Sequence, residues 1–437
     1  MYEALTLRRL LKHLEQVFDG FPDGRAGRPN AQYEVADAAK GAFAVFFTQQ
    51  ASFLAYQRAM KLTKGRSNAE RLFEMQALPS DNQIRNLLDP VKPQYLQGMY
   101  RQVFQALDDA AVLTGYRSFG RQHLVVLDGT TYFASKKIHC PQCSQRVLSN
   151  GETQYLHSVV TPVLVQPGRS QVLALEPEFI VPQDGHEKQD CEIAAAKRWL
   201  DQHGDFYAQR GTTLLGDDLY SRQPFCQALR DHQLHFILVC KPESHPQLYT
   251  TVAFLAAKQL LGTKQIRRWT GQYAEIATYR YTEALPLTGD PQALQVNWCE
   301  VTLAREDSGE PLYTNSFITD FAISDTTVEA IVRDGRTRWK VENENNNVLK
   351  TKGYHLEHNF GHGQQYLASL LLSLNLLAFL CHTVLELVDD QYRAIRAALG
   401  PRRTFFQDLE TLLRYFPFDS WDAVWTFMFH GLELDTG

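Results

Sequence analysis

Leu7, Leu10, Leu11 and Leu14 recur at three- and four-residue steps, the spacing of one helix face. The Gly- and Pro-containing stretch 20–30 should end that helix. A second helical region is expected over 35–60. A third should open after Pro79-Ser80-Asp81, where a polar N-cap precedes Ile84, Leu87 and Leu88. At His123 the pattern changes. Leu124-Val125-Val126-Leu127 is a short, wholly apolar run of the kind that forms a buried central strand, and it ends in Asp128-Gly129-Thr130. Strands are also expected over 155–165 and 172–181, followed by a helix over 191–200. A buried strand over 212–215 ends in Gly216-Asp217-Asp218; a helix over 224–232 and a strand over 235–240 follow.

Strand, strand, strand, helix, strand, helix, strand resembles the order of a ribonuclease H-like α/β sheet. Alternation returns over 266–281, 296–304 and 313–318, with Gly271, Gly289-Asp290 and Gly309 as turn residues, which predicts a β-rich insertion. A helix should then open near Thr326, with Glu329 three residues on as a capping box, and run through Glu342. The expected organisation is α/β. A helical region 1–118 precedes the first part of the core, 119–244, and the insertion, 245–320; a glutamate-bearing core helix, 321–360, precedes a helical C-terminal region, 361–437.

A chain of 437 residues is long enough for two or three domains, and 44% hydrophobic with 21% charged residues excludes global disorder. The net charge of -5 argues against a uniformly basic nucleic-acid binder, but a DNA partner needs clustering rather than a basic total. Two clusters exist: Arg58, Lys61, Lys64, Arg66 and Arg71, then Arg336, Arg338, Lys340, Lys350 and Lys352. Seven irregularly spaced cysteines do not form a disulfide framework, and the first residues lack a signal-peptide pattern, so a cytoplasmic protein is expected. Residues 366–387 are apolar enough to raise a membrane span. Ser369, Ser373, Asn375, His382 and Glu386 would be costly there, so a buried helix and no membrane partner are expected.

Asp128 and Asp217 each follow a buried apolar strand, and ligands gather beyond the carboxyl ends of strands in open α/β sheets. Asp218 competes with Asp217, but strand alternation should turn it to the other face. A third carboxylate, Glu342, lies one helical turn after Arg338; Glu344 is offset by roughly 200° around a helix and should face elsewhere. Asn345 and Asn346 fall near the Glu342 face. Carboxylates suit magnesium, a hard cation that prefers oxygen ligands.

The segments Val126-Leu127-Asp128-Gly129-Thr130, Leu215-Gly216-Asp217-Asp218-Leu219-Tyr220 and 338–350 together resemble the DDE transposases of bacterial insertion sequences, in the branch with a β-rich insertion before the glutamate. The resemblance covers about 120–380. It implies that Asp128, Asp217 and Glu342 are catalytic and bind Mg2+, with Mn2+ able to substitute. It also implies double-stranded DNA partners (transposon ends and target), a DNA-binding region within 1–118, and a homodimer assembled through 361–437. That branch carries a tyrosine–arginine–glutamate–lysine signature. Arg338 and Glu342 fit it, Gly335 stands where the tyrosine is expected, and Lys350 comes one residue late. Arg338, Lys350, Asn346 and Tyr220 are the candidate DNA contacts. A catalytically silent, DNA-binding regulator derived from such an enzyme is the alternative, which loss of a carboxylate would favour.

Cys140-Pro141-Gln142-Cys143 offers half of a zinc site, with His157, His186 and Cys191 as candidates for the rest; a metal-free thiol pair is the plainer expectation. The polar stretch 184–192 opens a helix between the two aspartates and could approach the metals or the DNA end, although helix N-termini favour acids anyway. Trp269 and Trp298 lie in the insertion, where related transposases hold a flipped base on an aromatic.

Overall fold

The computed structural model describes residues 2–25, 33–182 and 190–434. The chain folds as a mixed α/β protein. Its central strands form where the apolar runs predict them: β1 (His123–Val126), β8 (Thr212–Gly216) and β9 (His235–Val239) lie parallel and adjacent, buried on both faces. That burial explains the apolar runs within them, 124–126, 214–215 and 236–239.

The strand expected over 155–165 is two strands in two sheets. Pro162 has no N–H to give a ladder, and there β4 (Thr153–Val160) gives way to β5 (Val163–Val165). β1 bends at the same level, so Asp128 O accepts from Thr161 N at 2.9 Å while β2 (Gly129–Ser135) continues against β4. The region expected over 172–181 divides likewise, into β6 (Leu173–Ala174) and β7 (Glu178–Ile180). β1, β5 and β6 stay in the main sheet, whereas β2, β4, β7 and the edge strand β3 (Ser144–Val147) form the second. Asp128 sits at the hinge between the sheets.

Residues 245–320, expected to be β-rich, begin with a helix, Pro246–Ala257, ahead of the first expected strand. The four strands after it are β10 (Gly262–Trp269), β11 (Ala274–Pro286), β12 (Gln295–Arg305) and β13 (Pro311–Thr319). They form an antiparallel meander joined to the core sheet, because β13 pairs with β9 through Phe317↔Val239. Among the described residues the main sheet therefore runs β10-β11-β12-β13-β9-β8-β1-β5-β6.

The helix after β13 is shorter than expected. It spans Val328–Arg336, and Glu329 pairs with Arg268 and Lys264 (2.5 and 3.6 Å) instead of closing a capping box. A turn at 337–338 and a wide π turn, Val341–Asn346, precede the helix Asn347–Thr351. The helical region expected over 35–60 is two helices, Val35–Phe47 and Phe53–Met60, parted where Gln49 takes a positive φ and Ser52 caps the second.

The helix Leu367–Val388 is long and apolar enough to cross a membrane, yet it is packed inside the protein. Most of its polar groups have protein partners, though Asn375 Oδ1 is buried without one. Asn375 Nδ2 donates to Tyr354 O (2.8 Å), His382 bridges Tyr392 OH and Phe47 O (2.7 and 2.8 Å), and Glu386 meets Arg402 (3.1 Å). The two helical ends of the chain lie against each other here. His382 stacks on Phe47, Asn68 Nδ2 donates to Leu413 O and Trp421 Nε1 donates to Leu72 O (2.7 and 2.9 Å).

Candidate active site

β1 and β8 are parallel with Val126 opposite Leu215, and Leu127 N donates to Leu215 O at 2.9 Å. Both strands therefore finish at the same level, and Asp128 and Asp217 leave the sheet side by side at its carboxyl edge. Asp217 turns back on its own loop, where Oδ1 accepts from Leu219 N at 2.8 Å. Asp218 faces away. Its oxygens are taken by Lys241 N (2.7 Å) and the Ser244 hydroxyl in the loop after β9.

Glu342 arrives from the π turn. Arg338 Nη1 lies 2.8 Å from Glu342 Oε1 and 4.0 Å from Asp128 Oδ1. Two oxygens sharing that nitrogen are less than about 7 Å apart, a span that a pair of ions about 4 Å apart can bridge. Asn346 Nδ2 donates to Asp128 Oδ2 at 3.2 Å. The wide turn brings Glu342 and Asn346, four residues apart, over the same aspartate; such turns recur at functional sites. Glu344 points the other way, into the field of Arg402.

A fourth carboxylate completes the cluster. Glu192, the first residue of the helix Glu192–Ala208, accepts from Gly129 N (3.0 Å) and Tyr220 OH (2.7 Å) through Oε1. Gly129 leaves room for this carboxyl, since a Cβ there would stand 2.3 Å from Glu192 Oε2 and push it off its two donors. Burial raises the Glu192 carboxyl, and the Asp217 charge adds to that, against the two donors. Tyr220→Phe should leave this carboxylate one donor short and cost about 1–3 kcal/mol, read by urea denaturation at pH 8. An unchanged midpoint would mean that the bond contributes nothing.

The Asp128 carboxyl is pushed up to about 7, first by burial, then by Glu192, with Glu342 and Asp217 adding and Arg338 opposing. Three further carboxylates thus act on Asp128, and one guanidinium, Arg338, opposes them. Oxygen donors around a site with excess negative charge are the donor set that Mg2+ or Mn2+ takes, so the residues present fit such ions.

The other candidate contacts sit differently. Tyr220 is fully buried and its hydroxyl holds Glu192, so it cannot reach DNA here. Asn346 is also turned inward. Lys350 pairs with Glu357 at 3.1 Å. Arg336 and Lys340 line a groove with Arg169, Arg268 and Trp339, next to Arg338 on the chain. Trp298 is buried in the sheet, whereas Trp269 is 66% exposed at the end of β10. Sequence reasoning offered the stretch 184–192 as able to approach the site without singling out Glu192, and it missed Arg169 and Arg268 as groove residues. The polar helix start was the only signal for Glu192, and its residues 184–189, like His186, lie outside the described residues.

Comparison with protein-family models and with curated proteins gives no match.

Proposed function

We propose that this chain is a DDE-type DNA transposase, built on a ribonuclease H-like core, that cuts the ends of its element and joins them to target DNA. The observation that carries this reading is the convergence of Asp128, Asp217 and Glu342, from distant parts of the chain, on one acidic cluster centred on the Asp128 carboxyl, with Arg338 between Asp128 and Glu342. The connectivity supports it. β1, β5, β6, the helix Glu192–Ala208, β8, the helix Gln223–Asp231 and β9 follow the order strand, strand, strand, helix, strand, helix, strand. On this reading β10–β13 are the β-rich insertion before the glutamate.

The reaction is two in-line displacements at phosphorus. Water forms a new P–O bond and the element's 3′ oxygen leaves as a hydroxyl; that hydroxyl then attacks a target phosphate and expels a second 3′ oxygen. Two bound Mg2+ ions would polarise the attacked phosphate and stabilise the attacking and leaving oxygens. Asp128, Asp217 and Glu342 would hold those ions, with Glu192 beside them. Gly129 and Tyr220 fix Glu192, and Asn346 orients Asp128. The groove of Arg169 and Arg336, where Arg268 is paired with Glu329 and Lys340 is held by Arg169 O, suits a phosphate backbone, and Trp339 and Trp269 offer exposed rings for a base. Holding two ends together requires a second copy of the chain, and the work is placed in the bacterial cytoplasm.

The test is incubation of the purified full-length chain with DNA carrying the flanking inverted repeats. New 3′-hydroxyl ends should appear with Mg2+ or Mn2+ and not with Ca2+ or without metal. Binding to those ends without cleavage in any metal would instead support a silent regulator.

A further inference from the structure

We infer that the chain carries a structural zinc ion, separate from the acidic cluster, held by Cys140, Cys143, His157 and His362. Tetrahedral zinc with ordinary bond lengths separates two sulfurs by about 3.8 Å and a sulfur from a nitrogen by about 3.5 Å. The Cys140 and Cys143 sulfurs lie 3.9 Å apart. His157 Nε2 is 3.5 Å from each sulfur, and His362 Nε2 is 3.5 Å from Cys143 Sγ. All four ligand atoms lie within 4.8 Å of one another. The spacing is that of a coordination shell. It is too long for a disulfide, whose sulfurs lie about 2.05 Å apart.

The chemistry agrees. Cys140, Cys143 and His157 are buried and His362 is half-buried. Two thiolates and two neutral imidazoles carry a charge that one Zn2+ cancels, so the filled site can be buried without leaving an unpaired charge. The first cysteine closes a tight turn, with Cys143 N donating to Cys140 O at 3.1 Å. His157 stands in β4 opposite Phe133 of β2. His362 comes from the distant segment between the helices Asn347–Thr351 and Leu367–Val388 and turns its Nε2 to Cys143 Sγ. Zinc would supply the bond that fixes that ring. It would thereby clamp the segment following the Glu342-bearing turn onto the second sheet.

The purified full-length chain should contain about one zinc per molecule by elemental analysis. Exchange for Co2+ should give thiolate charge-transfer bands and the strong visible bands of a tetrahedral site. Cys143→Ser and His362→Ala should each weaken zinc binding by more than about 100-fold, since even losing a group hydrogen-bonded to a ligand costs about 10- to 100-fold. If these variants do not fold, titrating wild-type thiols with an organomercurial while a dye reports released metal should show two thiols per zinc. Folded wild-type protein lacking zinc and cobalt–thiolate bands would overturn the inference, as would a Cys140–Cys143 disulfide or full zinc retention by folded Cys143→Ser. None of these readouts involves DNA, so they stand or fall independently of the transposase reading.

Discussion

Asp128→Asn should abolish DNA cleavage and at the same time stabilise the magnesium-free protein above pH 7. The first half follows from geometry. Asp128 is where Arg338, Asn346 and the charges of Glu192, Asp217 and Glu342 meet, and an amide cannot replace a carboxylate as an anionic ligand. Losing about 4 kcal/mol of transition-state stabilisation slows cleavage about a thousandfold. The second half follows from linkage. The folded carboxyl, at about 7, lies above its ordinary value of 3.8, so the folded state binds this proton more tightly than the unfolded one. The stability this provides is complete below about pH 4 and is lost as pH rises through about 7. Asparagine never pays that penalty, so the variant should gain on the order of 2 kcal/mol over wild type at pH 8 and almost nothing below about pH 4.

Urea denaturation at both pH values, in buffer free of magnesium and of chelators that would strip a Cys/His metal, separates the two claims. Asp218→Asn is the control, because its oxygens serve the loop at Lys241 and Ser244; it should still cleave. Cleavage by Asp128→Asn would sink its assigned role. A variant no more stable than wild type at pH 8 would sink the electrostatic account.

The part of this fold most legible in the sequence is the part buried on both sides. β1, β8 and β9 have no solvent face, so their apolar runs are unbroken, and the two aspartates that end them could be picked out. The bent ribbon was harder to read, because Pro162 interrupts an apolar run without making it look like two strands. The helix Pro246–Ala257 carries Thr250, Thr251 and Val252, β-branched residues that suit a strand as well as a helix. The π turn hides for another reason. A hydrogen-bond step of five residues instead of four changes which side chains share a face but leaves no mark on composition. Glu192 looked like any acid at a helix start, and only the fold shows it against Gly129. His362 lies more than 200 residues from the cysteines it joins, and no spacing rule reaches so far.

Gly335→Tyr, which would supply the tyrosine that the related signature has at this position, should destabilise the protein by at least about 3 kcal/mol, not improve it. The helix Val328–Arg336 lies so close on the sheet that a Cβ at 335 would sit 2.8 Å from Phe317 and 2.9 Å from Ile237. Both are buried in the adjacent strands β13 and β9, where Thr319 faces Ile237 and Phe317 faces Val239, so neither ring nor methyl can step aside without opening the sheet. Gly335→Ala meets the same walls with a single methyl. Better helix propensity offsets about 1 kcal/mol of its cost, so it should fall between wild type and the tyrosine variant. Arg338 follows one turn later, its N–H donating to Gly335 O at 3.3 Å, so a displaced helix would also carry the guanidinium off Asp128 and Glu342. Denaturation midpoints should therefore fall in the order glycine, alanine, tyrosine, with cleavage falling alongside. A tyrosine variant as stable as wild type would show that position 335 faces open space, and faster cleavage by it would mean that the ring reaches the DNA end.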